Sequence, residues 1–180
     1  MFARTERLTL RPGWIEDAPA LAAAMGHESV VRNLSRAPWP YTLADAEAFV
    51  AGWQGKPGPT FLIFAHDGGR CDLVGGVGIG PLDDVPHMMG YWLTPSAWGR
   101  GYAVEAGRAA LDVAATLGIG RVVAGHYVDN PASGAVLRRL GFVATGSHSL
   151  IHSRGRATEV ETIDYAIALT DRRQDRRLAA

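Results

Sequence analysis

Cysteine is almost missing from these 180 residues. Cys71 stands alone, which excludes an intrachain disulfide and a cysteine metal site, and Asp72 beside it gives the thiol no activating charge. Charge of one sign is missing too, because 18 Lys+Arg balance 18 Asp+Glu, so neither nucleic acid nor an anionic membrane is expected as a partner. No apolar run approaches the ~18 residues of a membrane span, and the Met1–Arg7 stretch lacks the apolar core of a secretory signal. The expected location is the cytoplasm. Two nucleotide-binding patterns are absent as well: there is no G-x-G-x-x-G after the first strand and no G-x-x-x-x-G-K-[ST], and Gly75-Gly76-Val77-Gly78-Ile79-Gly80 fits neither. No metal site is expected. Repeats, linkers and low-complexity segments are also lacking. What remains, at 47% hydrophobic, is enough chain for one core burying about 70% of the unfolded surface. The expected organisation is one domain over 1–170 with a charged, frayed tail at 171–180. Aspartates interrupt the arginines of that tail and no aromatic is there to stack on RNA.

The segment that organises the chain is Leu93 to Ala106. Tyr91-Trp92-Leu93 reads as a buried strand end, and Pro95, having no N–H, stops the ladder. From Tyr102 the apolar residues Ala103, Ala106, Ala109, Ala110, Leu111, Ala114 and Leu117 keep a helical spacing, and Gly118 suits the C-terminal cap. Between the two lies Trp98-Gly99-Arg100-Gly101-Tyr102-Ala103. Two glycines at a helix start either make a tight turn or let unpaired amides converge on an anion such as a pyrophosphate.

Elsewhere the patterns alternate between strand and helix. Glu6–Arg11 alternates as a strand that Pro12 ends. A helix follows with Ala18, Leu21, Ala22 and Met25 inward and Gly26 at its end. Thr42 and Asp45 form a capping pattern for a second helix whose buried stripe is Ala46, Phe49, Val50 and Trp53. Phe61–Ala65 and Leu73–Ile79 read as a hairpin about Asp67-Gly68-Gly69, and His87–Leu93 as the strand entering the glycine loop. Glycines within Leu73–Ile79 weaken that strand unless something must approach it closely. Further strands are expected at Arg121–Val128, Val143–Ile151 and Ile163–Leu169. Asn130 as N-cap, Pro131 at the first helical position and Gly141 at the end punctuate a helix between the first two of these.

The loop Trp98–Ala103 resembles the Q/R-x-x-G-x-G/A acyl-CoA pyrophosphate loop of the GNAT superfamily of N-acetyltransferases. Gly90-Tyr91-Trp92-Leu93 upstream and Asn130-Pro131-Ala132-Ser133 with Leu140-Gly141-Phe142 downstream match in order, most closely to the branch of ribosomal-protein N-terminal acetyltransferases. The resemblance covers nearly the whole chain. It implies an α/β fold with a mixed, mostly antiparallel sheet whose two central parallel strands splay apart, flanked by helices. It implies acetyl-CoA as acyl donor and a primary amine as acceptor. That amine is expected to be a protein N-terminus, with a small molecule (antibiotic, polyamine or amino acid) or a non-catalytic acyl-CoA-binding module as alternatives, in a monomer or homodimer.

By the same resemblance the cofactor-binding residues are Trp92, Leu93, Thr94, Trp98, Gly99, Arg100, Gly101, Tyr102, Ala103, Asn130 and Ser133. Asn130 would contact the pantetheine arm and Ser133 the thioester sulfur, while Pro38-Trp39-Pro40-Tyr41 would line the acceptor pocket. Read as structure alone, Asn130 caps its helix and Ser133 satisfies a first-turn amide. The tyrosine acid that many members carry later in this helix is excluded by Leu137. A glutamate base on the strand before the loop is also missing, which leaves His87 and His126 as candidate bases by residue type, against the ordinary reading of each as a strand or rim histidine. Glu105 reads as a dipole partner that holds the loop.

Overall fold

The computed structural model describes residues 1–53 and 58–169, so the tail expected at 171–180 lies outside the described residues. Strands β1 (Ala3–Arg4) and β2 (Leu8–Arg11) come first, followed by helices α1 (Ala18–Met25), α2 (Glu28–Val31) and α3 (Leu43–Ala51). The capping pattern of α3 closes as expected: Asp45 N donates to Thr42 Oγ1 at 3.3 Å, and Thr42 N donates to the Asp45 carboxylate at 2.9 Å. Helix α2 was not foreseen, because four residues carry too little of a helical period to read. Strands β3 (Thr60–Asp67), β4 (Arg70–Leu82) and β5 (Val85–Leu93) form two successive hairpins. The chain then runs through α4 (Tyr102–Thr116), β6 (Arg121–Tyr127), α5 (Pro131–Leu140), β7 (Val143–Ser153) and β8 (Thr158–Ala168).

These strands form an eight-stranded sheet in the order β1-β2-β3-β4-β5-β6-β8-β7, in which only β5 and β6 run parallel. It is the mixed sheet expected. Strand β8 starts at Thr158 instead of near Ile163, since the turn after Ser153 reverses the chain at once and Ser153 already pairs with Thr158. Its start, Thr158-Glu159, is polar and solvent-facing and carries no apolar alternation.

Period-two alternation along β3 serves two cores. Phe61, Ile63 and Ala65 pack with Ala106, Ala110, Leu111, Leu137 and Leu140 of α4 and α5, whereas Leu62 and Phe64 pack with α1, α2 and α3 on the opposite face. Each fully buried Leu, Ile or Phe among them contributes about 1.5–3 kcal/mol. In α1 the inward residue is Ala24 more than Ala22. Phe49, expected inside, is 37% exposed and meets Trp53 edge-on with centroids 5.1 Å apart.

The glycines of β4 have a definite cause. A Cβ on Gly76 would sit 2.6 Å from Trp92 Nε1, and one on Gly75 2.6 Å from Leu93 Cδ2. The side chains of β5 at the mouth of the cleft therefore lie across β4 only because β4 has none there.

Candidate active site

The sheet opens where β5 and β6 part. Their ladder consists of Met88↔Val123 and Met89↔Ala124, although β5 continues to Leu93 and β6 to Tyr127. Beyond Met89 every second N–H and C=O of β5 therefore faces a wedge with no β6 partner. A cleft of about 590 Å3 occupies this wedge and is lined by the end of β5, the glycine loop, the end of β6 and the start of α5. Tyr91, Trp92 and Leu93, read as buried, are half-buried because they form its wall.

At one end the glycine loop closes over the start of α4. Gly99 and Gly101 adopt φ of 74° and 81°, a region that costs a side-chain-bearing residue about 1–2 kcal/mol. Gly101 is the N-cap of a fifteen-residue helix and brings no side chain to it. The first-turn amides of Tyr102, Ala103 and Val104 accordingly start at the cleft wall, where the helix dipole is positive. The loop is buttressed from outside. Trp98 Nε1 donates to Leu93 O at 2.9 Å, Thr94 N donates to Val74 O at 2.9 Å, and Arg100 pairs with Asp67 at 2.9 Å. Thr94 and Arg100, both expected to touch the cofactor, thus stand outside the cleft wall and brace it, while Trp92, Leu93, Trp98, Gly99, Gly101, Tyr102, Ala103, Asn130 and Ser133 line it.

Glu105 ties this helix start to the N-terminal strands. It accepts from Thr5 Oγ1 at 2.6 Å and Arg7 N at 3.0 Å, and pairs with the Arg7 guanidinium at 2.6 Å, while Arg7 Nη1 donates to Arg100 O at 2.9 Å. Burial pushes the Glu105 carboxyl up, but the bonds from Thr5 and Arg7 outweigh it and hold it below the usual carboxylate range. A lowered folded value stabilises the fold above the ordinary carboxylate pKa of about 4, and this stabilisation is lost as pH falls below that. Removing these charged bonds in Glu105→Ala is expected to cost about 2 kcal/mol, a fall in Tm of roughly 6 °C at neutral pH. The deficit should shrink below pH 4, as thermal denaturation against pH can read.

The opposite side of the cleft carries two residues fixed by α5. Asn130 Oδ1 accepts from Ser133 N at 3.3 Å, so Asn130 is the side-chain cap that its spacing implied. Ser133 does not satisfy an amide; its Oγ lies 2.7 Å from the Tyr91 hydroxyl, which also donates to Ser133 O at 2.9 Å. Burial pushes the Tyr91 phenol up to about 12, opposed by the Ser133 hydroxyl and aided by Tyr165.

The two histidines separate. His87 stands on β5 before the splay and is not part of the cleft wall, whereas His126 is 7% exposed and lines it. Its Nδ1 lies 2.9 Å from Tyr127 O, and since a carbonyl only accepts, Nδ1 carries the proton. Its Nε2 faces Gly134 of α5 so closely that a Cβ there would fall within 2.9 Å of ring Cδ2.

The far wall comes from α2 and the loop after it, through Ser29, Val30, Asn33, Leu34 and Ser35. Pro38–Tyr41, expected in this role, do not line the cleft; Ala37 and Tyr41 pack against the α1–α3 core. The turn after β7 holds the α2 wall in place. Arg156 reaches Asp129 at 2.8 and 3.0 Å, Arg154 N donates to Ser35 O at 2.9 Å, and Ser153 Oγ donates to Leu34 O at 3.1 Å.

The family model of the acetyltransferase (GNAT) domain matches residues 7–143 of this chain. The chain belongs to the GNAT acetyltransferase family. It is accordingly an acetyl-transferring enzyme using acetyl-CoA. The uncharacterized N-acetyltransferase YoaA of Bacillus subtilis is 28% identical over 148 residues, 79% of this chain and 82% of YoaA. Among solved structures, an acetyl transferase from Salmonella typhimurium that modifies the N-terminal serine of a 50S ribosomal subunit protein superposes with TM-score 0.72 at 25% identity, covering 91% of this chain and 96% of that one. The microcin self-immunity acetyltransferase MccE, in complex with acetyl-CoA and AMP, superposes with TM-score 0.74 at 18% identity, covering 91% and 93%, and bears on the fold alone. The GNAT loop and the N-x-x-S segment were readable in the sequence. Tyr91 as partner of Ser133, Arg139 at the cleft edge and the α2 wall were not, because only the fold brings strand 91, helix 133 and loop 33 together.

Proposed function

We propose that this GNAT enzyme transfers the acetyl group of acetyl-CoA to an α-amine, that of a protein N-terminus. The observation that carries the reading is the chemistry of the cleft wall: among the described residues it holds hydroxyls, amides, aromatics and apolar side chains, His126 and Arg139, but no carboxylate. A polycationic acceptor such as a polyamine finds no counter-charge there, and a lysine finds no strong base. An α-amine, with a pKa of about 8, needs the least help.

Acetyl-CoA supplies an activated carbonyl and a thiol that leaves readily. The amides of Gly99 to Val104 are placed to hold its pyrophosphate, and the open edge of β5 with the Asn130 side chain to hold its pantetheine arm. An edge N–H of Tyr91 to Leu93 is the donor for the carbonyl oxygen as charge develops. Ser133 donates a hydrogen bond to the sulfur as the C–S bond breaks, and the amine gives up its proton to solvent or to a weak base after the C–N bond forms. Asn130→Ala is expected to weaken coenzyme A binding and to cost about 1 kcal/mol of stability through the lost cap. Ser133→Ala should spare affinity and lower turnover. Parallel losses in both variants that track Tm would make the pair purely structural. The acceptor is tested on one peptide with a free N-terminus and an internal lysine, the product being mapped by mass spectrometry. Label at the N-terminus is expected; label on lysine alone overturns the reading, and preference for an amino-acid amide over any peptide favours a small-molecule acceptor.

A further inference from the structure

Two hydroxyls from opposite walls of the cleft meet at Tyr91 and Ser133, and they have one heavy-atom geometry but two proton arrangements. Tyr91 Oη is 2.9 Å from Ser133 O and 2.7 Å from Ser133 Oγ. In the first arrangement the phenol donates to the carbonyl and the serine donates to the phenol oxygen. In the second the phenol donates to Oγ, and the single serine proton is turned into the cleft. A carbonyl cannot donate, so these two alternatives exhaust the pair. Moving between them requires rotation of two O–H bonds and no displacement of side chains.

We propose that Tyr91 is a positioning residue for Ser133, whose hydroxyl it turns toward the thioester sulfur and polarises by donating to Oγ. This rests on the acetyltransferase reading above. The surroundings favour the role. Ser133 is fixed at its nitrogen by the Asn130 side chain, which leaves its hydroxyl rotor free to turn. Tyr91 is itself fixed in register by Val77 of β4. Leu137, fully buried one turn further along α5, offers no hydroxyl of its own. With its phenol raised to about 12, Tyr91 remains protonated wherever an amine acceptor is reactive. It is also a poor proton source for a thiolate of pKa about 8.5, the transfer being opposed by more than three orders of magnitude. Tyr91 therefore acts as a permanent hydrogen-bond donor and the proton on Oγ stays with the serine.

Tyr91→Phe keeps the ring and removes the donor. Three quantities test the proposal in wild type, Tyr91→Phe, Ser133→Ala and the double variant: kcat with KM for acetyl-CoA, the Kd for coenzyme A by calorimetry, and the pKa of the bound coenzyme A thiol by thiolate absorbance. Loss of one hydrogen bond predicts a kcat about 5–10-fold lower in Tyr91→Phe with Kd within twofold, and a bound thiol pKa raised by about half a unit. The double variant should be no slower than Ser133→Ala alone, since Tyr91 acts only through Ser133. Additive losses, an unmoved thiol pKa, or a Kd that worsens in step with kcat would overturn the role. The thiol titration needs no turnover, so it decides the role of Tyr91 even if no acceptor is acetylated, an outcome that would count against the acetyltransferase reading instead.

Discussion

Gly101→Val is expected to lower affinity for coenzyme A by at least about 100-fold while leaving a folded protein. Gly101 holds φ at 81° as the N-cap of α4, and a Cβ there would meet only Arg7 Nη2, at an ordinary 3.5 Å. Space is therefore not the obstacle; conformation is. A β-branched residue forced into this region costs roughly 1–3 kcal/mol, and the chain relieves that strain by turning the peptide away. The amides that converge on the cleft then diverge. Two hydrogen bonds to a charged phosphate are worth about 3–6 kcal/mol together, which is a factor of 100 or more in Kd. Calorimetry with coenzyme A and a melting curve separate this from unfolding: wild-type affinity in a folded Gly101→Val protein would show that the loop does not hold the pyrophosphate. Gly99→Val, where a Cβ meets nothing within 4 Å, should show the same strain with less loss, because Gly99 stands outside the helix.

At pH 7 a peptide with a free N-terminus is expected to outrun a blocked peptide carrying lysine by roughly 250-fold under saturating acceptor. An α-amine of pKa about 8 is roughly a tenth neutral at that pH, whereas a lysine at about 10.4 is neutral in about four parts in ten thousand, a difference near 3 kcal/mol. The site does little to offset it. His126 keeps Nδ1 on a backbone carbonyl and Nε2 against Gly134, and His87 stands outside the wall. The rate should thus climb with pH toward the acceptor's own pKa, without an inflection in the range where an imidazole titrates. An inflection abolished by His126→Ala, together with efficient lysine acetylation at pH 7, would contradict the weak-base account.

The parts of the fold legible in the sequence were those with a local cause. Thr42 and Asp45, Asn130 and Pro131, and Gly141 are punctuation whose physics is contained within four residues, and the structure starts or ends a helix at each. The glycines of β4 announced a close approach without saying of what, since Trp92 is a neighbour only once the hairpin forms. Helix α2 and the start of β8 were hidden because one is too short for a period and the other is polar on an exposed edge. The cofactor side of the site was readable as a contiguous loop. The far wall was not: it is α2 and the loop after it, held by the turn beyond β7 through Arg154 N to Ser35 O and Ser153 Oγ to Leu34 O, which no spacing along the chain connects. Pro38–Tyr41 reads as a pocket-lining aromatic loop, but Tyr41 turns to the α1–α3 core and Trp39 is 41% exposed, a choice that composition does not make.

Thiol release from acetyl-CoA, followed with and without a peptide bearing a free N-terminus, decides whether this cleft acetylates an α-amine. Saturable release that requires the peptide, and that disappears when the same peptide is blocked at its N-terminus, is the predicted result. Tight binding of acetyl-CoA with no amine-dependent release from any α-amine would contradict it and leave the cleft an acyl-CoA-binding site without turnover.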